Sequence, residues 1–137
     1  MHYNIVLLTK QAGPMYAQKS AIVFLDQYEW KEYDCYCFDE WDRFDLPAVS
    51  LLSEHIQYVK SLKDDMIELE EDLYTKSRER LRLYENHRLL WEDIKQLADL
   101  KMQNFSKFCN IYNIDTLDYS IPDDTDWWYA ISVDLHY

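Results

Sequence analysis

Two cysteines one residue apart, Cys35 and Cys37, are the first residues of the sequence whose types and spacing could do chemistry. If they lie on a strand, side chains at i and i+2 point the same way and both thiols could reach one metal ion. A zinc site usually needs four ligands, commonly from two such pairs. The remaining thiol and imidazole side chains are scattered along the chain: Cys109, His2, His55, His87 and His136. The pattern therefore favours two small thiols on the inner face of a strand, and we predict no metal and no other cofactor.

The rest of the sequence shows no clear pattern of catalytic residues. Nucleophilic catalysis needs a Ser or Cys beside a His that a third group orients, and no spacing indicates such a set. The acidic run at residues 68–72 is typical of a solvated helix face rather than of a carboxylate pair for acid–base work. Gly13 is the only glycine, so no glycine-rich phosphate loop exists. We therefore predict that the chain is not an enzyme.

The charge of the chain is concentrated in two acidic blocks. The net charge is −12, and residues 26–45 hold eight acidic and two basic residues. Residues 115–137 hold six acidic residues and no Lys or Arg, while the middle of the chain is nearly neutral. Such a chain is repelled by nucleic acid and by anionic lipid and attracted by basic protein surfaces. No apolar run reaches the roughly 18–20 residues that a membrane helix needs.

Aromatic residues are interleaved with the acids in both blocks. Tyr and Trp are enriched at the centres of protein interfaces, and carboxylates steer the encounter with basic partners. An acidic surface that only keeps the protein soluble is the plain alternative. The first block should bury Tyr33, Cys35 and Cys37 and turn its acids outward. The predicted partner-binding residues are Asp34, Asp39, Glu40, Trp41, Asp42, Phe44, Asp45, Asp123, Asp124, Asp126 and Trp128.

Strands are predicted at both ends of the chain. Residues 2–9 are apolar on both faces, which indicates a central strand. Residues 31–38 alternate at strand spacing. Residues 127–137 alternate with Trp127, Tyr129, Ile131, Val133 and Leu135 on one face, and the N-terminal strand is the expected partner. A helix is predicted between Met15 and Tyr28 after the Gly13-Pro14 turn, with a strand at residues 21–25 as the competing interpretation.

Long helices are predicted between these ends. Asp45 can cap a helix, and no Gly or Pro occurs between residues 48 and 121. Apolar residues recur there at heptad spacing, first at Val59, Leu62, Met66, Leu69 and Leu73, and then at Tyr84, Trp91, Ala98, Phe105 and Tyr112. Two antiparallel helices that turn near residues 75–80 are favoured, and one continuous helix that pairs with a second chain stays open. The predicted fold is a single α+β domain, with a sheet unit at 1–45 and 115–137 and a helical hairpin or coiled coil at 46–114.

The two ends of the chain also resemble a known group of proteins. The opening YNIVLLTK and the ending PDDTDWWYAISVDLHY are similar to the ends of small uncharacterised tailed-phage proteins, which begin with an apolar strand and close in Val-Asp-Cys-His. Leu135 stands where those proteins carry Cys. The resemblance covers about the first ten and the last sixteen residues, and it implies a phage or mobile-element origin without a known activity.

Charge, aromatic content and this resemblance together predict an inhibitor. The expected function is to bind a basic, nucleic-acid-binding host defence protein in the manner of DNA-mimic, anti-CRISPR or anti-restriction proteins, without binding nucleic acid or membrane itself. The three cysteines fit a reducing compartment, here the host cytoplasm. A coiled-coil structural or adaptor protein, such as a virion component, is the alternative. A homodimer through the helices is also predicted, because a continuous helix can bury its apolar stripes only against a second chain.

Overall fold

The structure is a computed structural model that describes residues 2–27, 35–38, 46–80 and 88–136, except the side chains of 72–80, 88–95, 97 and 104. The chain divides into two compact units, one formed by Met1–Tyr58 and Lys107–Tyr137 and the other by Val59–Ser106. The described elements are, in order, β1 (His2–Lys10), α1 (Pro14–Gln27), β2 (Cys35–Phe38), β3 (Val49–Leu51), α2 (Leu52–Arg80), α3 (Arg88–Cys109), β4 (Ile111–Asn113) and β5 (Trp128–His136). The fold is α+β.

The five strands form one mixed sheet in the first unit. Strand β1 pairs antiparallel with β5 along its whole length and parallel with β4 on its other side. Strands β2 and β3 both pair antiparallel with β5, at opposite ends of its outer edge. The prediction of a central N-terminal strand paired with a C-terminal strand is therefore confirmed.

The core of the first unit lies between one face of this sheet and helix α1. The main cluster contains Ile5, Leu7, Ala17, Ala21, Leu25, Tyr112, Tyr129, Ile131, Val133 and Leu135. Val6 and Leu8 are also almost completely buried, although they alternate with Ile5 and Leu7 and so point to the other face. Burial on both faces explains why the middle of β1 is a continuous apolar run rather than an alternating one.

Helix α1 begins where the sequence predicts. The Ala17 N–H donates to the Gly13 carbonyl at 3.1 Å, and Pro14 occupies the first helical position, where its missing N–H costs nothing. Ala17, Ala21 and Leu25 recur at a spacing of four and are the buried residues of the helix. The competing strand at residues 21–25 is wrong, because this spacing places one stripe on a helix.

Strand β2 has the predicted period but the opposite inward face. Cys35 and Cys37 are exposed, whereas Tyr36 and Phe38 are partly buried and pack against the core cluster. The register with β5 places Tyr36 beside Leu135 and Phe38 beside Val133. The prediction that the thiols face the core is therefore wrong, and the physical reason is that two aromatic rings bury far more apolar area than two thiols.

Two short strands lie in the stretch that was predicted to be helical. Strand β3 occupies residues that Asp45 was expected to place inside a helix, which begins instead at Leu52. Strand β4 holds Tyr112, the last residue of the second heptad series, because α3 ends at Cys109. In β4 the Tyr112 ring packs against Phe24 and Tyr119, with ring centroids 5.7 and 5.4 Å apart.

The second unit contains most of α2 and α3. Residues 75–80, near which a turn is predicted, belong to α2, which ends at Arg80, and the residues between α2 and α3 lie outside the described part of the chain. Leu62 is 2% exposed, and Val59, Met66 and Leu69 are partly buried, as the first heptad series predicts. Lys101 Nζ on α3 lies 3.1 Å from Asp65 Oδ2 on α2. A long coiled-coil hairpin is not evident among the residues that the structure describes, and none of the described helices is long and apolar enough to cross a membrane.

Candidate functional site

Residues 114–127, here called the acidic loop, connect β4 to β5 and carry five of the six acids of the second block. Asn113, which is 1% exposed, organises the start of the loop. Its Oδ1 accepts hydrogen bonds from the backbone N–H groups of Asp115 (3.0 Å) and Thr116 (3.2 Å), and its backbone pairs with that of Asp118. A buried Asn in this position fixes the first turn of the loop through its own side chain.

The Asp118 carboxylate closes this turn. Its Oδ1 accepts from Ser120 Oγ at 2.5 Å, Thr116 Oγ1 at 2.6 Å and the Ser120 N–H at 3.0 Å. These bonds, with the Ser120 hydroxyl the largest contributor and the Thr116 hydroxyl next, lower the pKa of Asp118. These donors stabilise the ionised form of the Asp118 carboxylate, which helps to order the loop.

Asp115 ties the acidic loop to the end of β1. Its two carboxylate oxygens accept hydrogen bonds from the buried Thr9 hydroxyl and from the Lys10 backbone N–H, each at 2.8 Å. The Gln11 N–H donates to the Trp127 carbonyl at 2.9 Å, which joins the other end of the loop to the same segment. Both ends of the loop are thus held at the end of β1, one by Thr9 and Lys10 and the other by Gln11, the residue after the strand.

Trp127 occupies an unfavourable backbone conformation at the end of the acidic loop. The Trp128 N–H donates to the Thr125 carbonyl at 3.4 Å, and within this turn Trp127 has φ of 63°. Such a position favours Gly or Asn, and a bulky residue there is strained. The Trp127 side chain is nevertheless 62% exposed, so burial of the indole does not explain why a tryptophan stands there.

The described members of the predicted partner-binding set fall into two groups. Asp123, Asp124 and Asp126 are all exposed, and Asp124 Oδ1 accepts from the Asp126 N–H at 2.9 Å. Trp128 is only partly exposed and pairs with Lys10 at the start of β5. The exposed indole of this segment is that of Trp127, which the alternation places on the same face as the buried Tyr129 and Ile131. The alternation fails there because the positive φ at Trp127 turns the chain before β5 begins.

The first acidic block lies largely outside the described residues. The predicted partner-binding residues that fall there are Asp34, Asp39, Glu40, Trp41, Asp42, Phe44 and Asp45. Their role therefore stays a prediction from the sequence. Only the strand between them, β2, is described.

Exposed apolar side chains accompany the acids of the loop. Leu117 is 56% exposed at φ of 58°, Tyr119 is 70% exposed and Ile121 is 54% exposed. A shallow groove of about 410 Å³ adjoins the loop and is lined by Gln11, Tyr16, Lys19, Ser20, Val23, Phe24, Ile114 and Asp115. Tyr16 and Val23, on helix α1, are themselves more than half exposed. The loop and groove thus offer large apolar side chains beside carboxylates, a composition suited to contact with another protein.

Potential metal ligands meet at the opposite end of β5 from the acidic loop. His2, Asp134 and His136 each offer one ligand atom, and these atoms all lie within 4.8 Å of one another. His2 Nδ1 is 3.1 Å and His136 Nε2 is 3.4 Å from Asp134 Oδ2. Cys37 Sγ lies 3.6 Å from His136 Nε2. Sequence reasoning considered Cys37 with Cys35 and missed this set, because only the pairing of β1, β2 and β5 brings its members together.

His55 is a buried imidazole in the same unit. It is 1% exposed, and its Nε2 lies 3.0 Å from the Phe108 carbonyl oxygen, which fixes the ring proton on Nε2. Burial lowers the pKa of His55, and the hydrogen bond to Phe108 opposes this only in part. A neutral, packed imidazole of this kind supports the fold.

Comparison with models of known protein families, with curated proteins and with solved structures finds no match. The features of the described residues that bear on function are therefore the acidic loop and the groove beside it.

Proposed function

We propose that this chain is a protein-binding protein that presents the acidic loop to a basic surface of its partner. The observation that carries the proposal is Trp127, a large and mostly exposed indole at a backbone position that costs about 1–3 kcal/mol of strain. Strain that does not serve burial is typical of functional positions. Trp127 follows the exposed carboxylates of Asp123, Asp124 and Asp126, so an apolar anchor and a steering charge occur in the same turn.

The partner class follows from the charge. Nucleic-acid-binding proteins expose basic surfaces that also stack aromatic bases. An acidic surface with exposed Tyr and Trp side chains complements both properties. We infer that the partner is such a protein, and the resemblance of the chain ends to phage proteins favours a host defence effector. The chain would then act as an inhibitor of the DNA-mimic or anti-CRISPR type in the host cytoplasm.

Two finer elements of the proposal rest on the sequence. Asp39, Glu40 and Asp42, with Trp41 or Phe44 as an apolar anchor, would form a second acidic contact of the same chemistry. The heptad series in α2 and α3 would support a homodimer by burying apolar side chains against a second chain. A coiled-coil adaptor would use the same helices, but it gains nothing from acids concentrated outside them.

The test compares two sets of three neutralised charges. One variant carries Asp123→Asn, Asp124→Asn and Asp126→Asn. The control variant carries Glu68→Gln, Glu70→Gln and Glu71→Gln on the exposed side of α2, so both variants have the same net charge. The basic partner is first captured from a lysate of a host that contains restriction or CRISPR effectors, and is then purified for kinetic measurements at low and high salt.

The loop variant is expected to associate more slowly than the parent and with a flatter salt dependence, because exposed charges act mainly on the encounter. The control variant should retain most of the parental association rate. Trp127→Ala should speed dissociation by a factor of about 30 or more, which corresponds to a hot spot worth about 2 kcal/mol. Equal behaviour of the two triple variants would show that the acids serve only solubility, and would overturn the proposal.

A third triple variant tests the first acidic block. Asp39→Asn, Glu40→Gln and Asp42→Asn together should also slow association with the same partner. A nucleic-acid ligand of the partner should compete with the parent chain if inhibition occurs by occlusion. Binding that persists in the presence of saturating nucleic acid would instead favour an inhibitor that locks a conformation.

A further inference from the structure

Three strands bring ligand atoms to one patch of the sheet. His2 on β1 lies opposite His136 on β5, and Cys37 on β2 lies opposite Asp134 on β5. Asp134 and His136 are two residues apart and therefore point to the same face of the strand. That face is opposite to the one on which Val133 and Leu135 join the core cluster. The patch, here called the sheet-end cluster, consists of His2, Cys37, Asp134 and His136.

Three distances within the sheet-end cluster are those expected between neighbouring ligands of one tetrahedral ion. The ligand atoms of His2, Asp134 and His136 all lie within 4.8 Å of one another, and Cys37 lies beside His136. Zinc binds imidazole nitrogen and carboxylate oxygen at roughly 2.0–2.2 Å, so neighbouring ligand atoms in a tetrahedron lie about 3.4 Å apart. The observed distances from Asp134 Oδ2 are 3.1 Å to His2 Nδ1 and 3.4 Å to His136 Nε2. Cys37 Sγ is 3.6 Å from His136 Nε2, and the longer zinc–sulfur bond makes a distance of this size the expected one.

The donor types indicate which cation would bind. We propose that the sheet-end cluster binds one divalent transition-metal ion, zinc above others, through His2, Asp134 and His136, with Cys37 as the fourth ligand. Imidazole and thiolate are ligands of zinc and cobalt, whereas magnesium and calcium take oxygen ligands. Asp134 also has a buried oxygen, Oδ1, for which the described residues provide no hydrogen-bond donor. A cation at the neighbouring oxygen would compensate the cost of burying part of this carboxylate.

The expected consequence is structural. Strand β2 is four residues long and lies at an edge of the sheet, where it pairs only with β5 among the described strands. A metal held by Cys37, Asp134, His136 and His2 would join β2, β5 and β1 with bonds much stronger than one edge pairing. The site differs from the acidic loop in position and chemistry. The proposal of a metal site is therefore independent of the proposed protein-binding function.

The experiment uses the full chain without a histidine tag, stripped of metal by a chelator under reducing conditions. Calorimetric titration with zinc chloride should give one ion per chain, and titration with magnesium or calcium chloride should give no binding. Cobalt chloride should produce the absorption of tetrahedral cobalt with a sulfur-to-cobalt charge-transfer band. Zinc should also raise the melting temperature, because it binds the folded state.

Single variants assign the ligands. His2→Ala at an exposed position, Asp134→Asn and His136→Ala should each weaken zinc binding by more than the roughly 10–100-fold that the loss of an outer-shell partner costs. Cys37→Ser should abolish the charge-transfer band, whereas the matched control Cys35→Ser, two residues away on the same strand, should keep it. Far-ultraviolet circular dichroism of each variant checks that the chain is folded. Absence of stoichiometric zinc binding by the parent, or binding that survives both His2→Ala and His136→Ala, would overturn the site.

Discussion

Asn113 shows how much of the acidic loop depends on one buried polar side chain. Its Oδ1 receives two backbone N–H groups, and its Nδ2 donates to the Ser120 carbonyl at 3.4 Å. Asn113→Ala leaves those groups without a partner and should lower the free energy of unfolding by about 1–3 kcal/mol. Urea unfolding measures the change, and binding to the basic partner should weaken as well.

Asn113→Asp is the matched control for that change, because it keeps the accepting oxygen while it removes the Nδ2 donor. It also adds a buried charge, so stability should fall in this variant too. The two variants should differ in amide hydrogen exchange at Asp115 and Thr116, which stay protected only where the oxygen remains. Equal exchange in both variants would show that the Asn113 side chain does not order the turn.

His55 predicts a pH dependence of stability. Burial lowers its pKa in the folded chain below the ordinary value of 6.5, so the unfolded chain binds the proton more readily. Stability therefore rises with pH between the folded and the unfolded pKa, and is lost as the pH falls from about 6.5 through the folded pKa. Urea unfolding from pH 5 to pH 8 should show this slope.

His55→Gln is the variant that isolates the effect of His55. A glutamine Nε2 can still donate to the Phe108 carbonyl but does not titrate, so this variant should have a smaller loss of stability at low pH. All other ionisable side chains are common to the two proteins, so the difference between the two curves reports His55. Superimposable curves would contradict a buried, neutral His55.

At the scale of elements, length decides what the sequence could predict. Strands β1 and β5 have nine residues each, and their apolar patterns predict both their existence and their pairing. Strands β3 and β4 have three residues each, too few to show a period, and both lie in a stretch without Gly or Pro that otherwise predicts helix. The role of Asn113 was hidden for the same reason, because it depends on β4.

The sequence predicts some features of the candidate site and not others. Exposure of Asp123, Asp124 and Asp126 follows from a Pro-Asp-Asp turn signal, which is local in sequence. The sequence alone does not indicate that Trp127 is the more exposed of the two tryptophans. Its exposure depends on the positive φ at Trp127, which the residue types do not predict. The sheet-end cluster depends on the register of three strands and has no local signal at all.

The packing of strand β2 predicts which of its two faces stabilises the fold. Tyr36 packs against the core cluster and its hydroxyl donates to Asp26 Oδ1 at 3.2 Å, whereas the adjacent Cys35 is exposed. Tyr36→Ala should lower the free energy of unfolding by about 1–3 kcal/mol, and Cys35→Ser by less than about 0.5 kcal/mol. Denaturant unfolding of the two metal-free variants gives the comparison. Equal costs would mean that β2 does not pack as described.

At the scale of the whole molecule, the last prediction concerns self-association of the chain. Ile67 on α2 and Leu100 and Met102 on α3 are each about half exposed, although the unit that contains them is rich in charge. Burying them against a second chain is favourable at roughly 25 cal/mol per Å² of apolar surface. We expect a dimer of twice the 16.7 kDa chain mass at high micromolar concentration.

Sedimentation equilibrium measures that mass, and charged substitutions locate the interface. Ile67→Glu with Met102→Glu should return the chain to a monomer, because two buried charges per chain would oppose association. Val23→Glu adds a charge of the same kind at an equally exposed apolar position on a different helix, α1, and should leave the dimer intact. A parent chain that sediments as a compact monomer would exclude the dimer. The acidic loop would then engage its partner one chain at a time, without the gain in avidity that two linked copies provide.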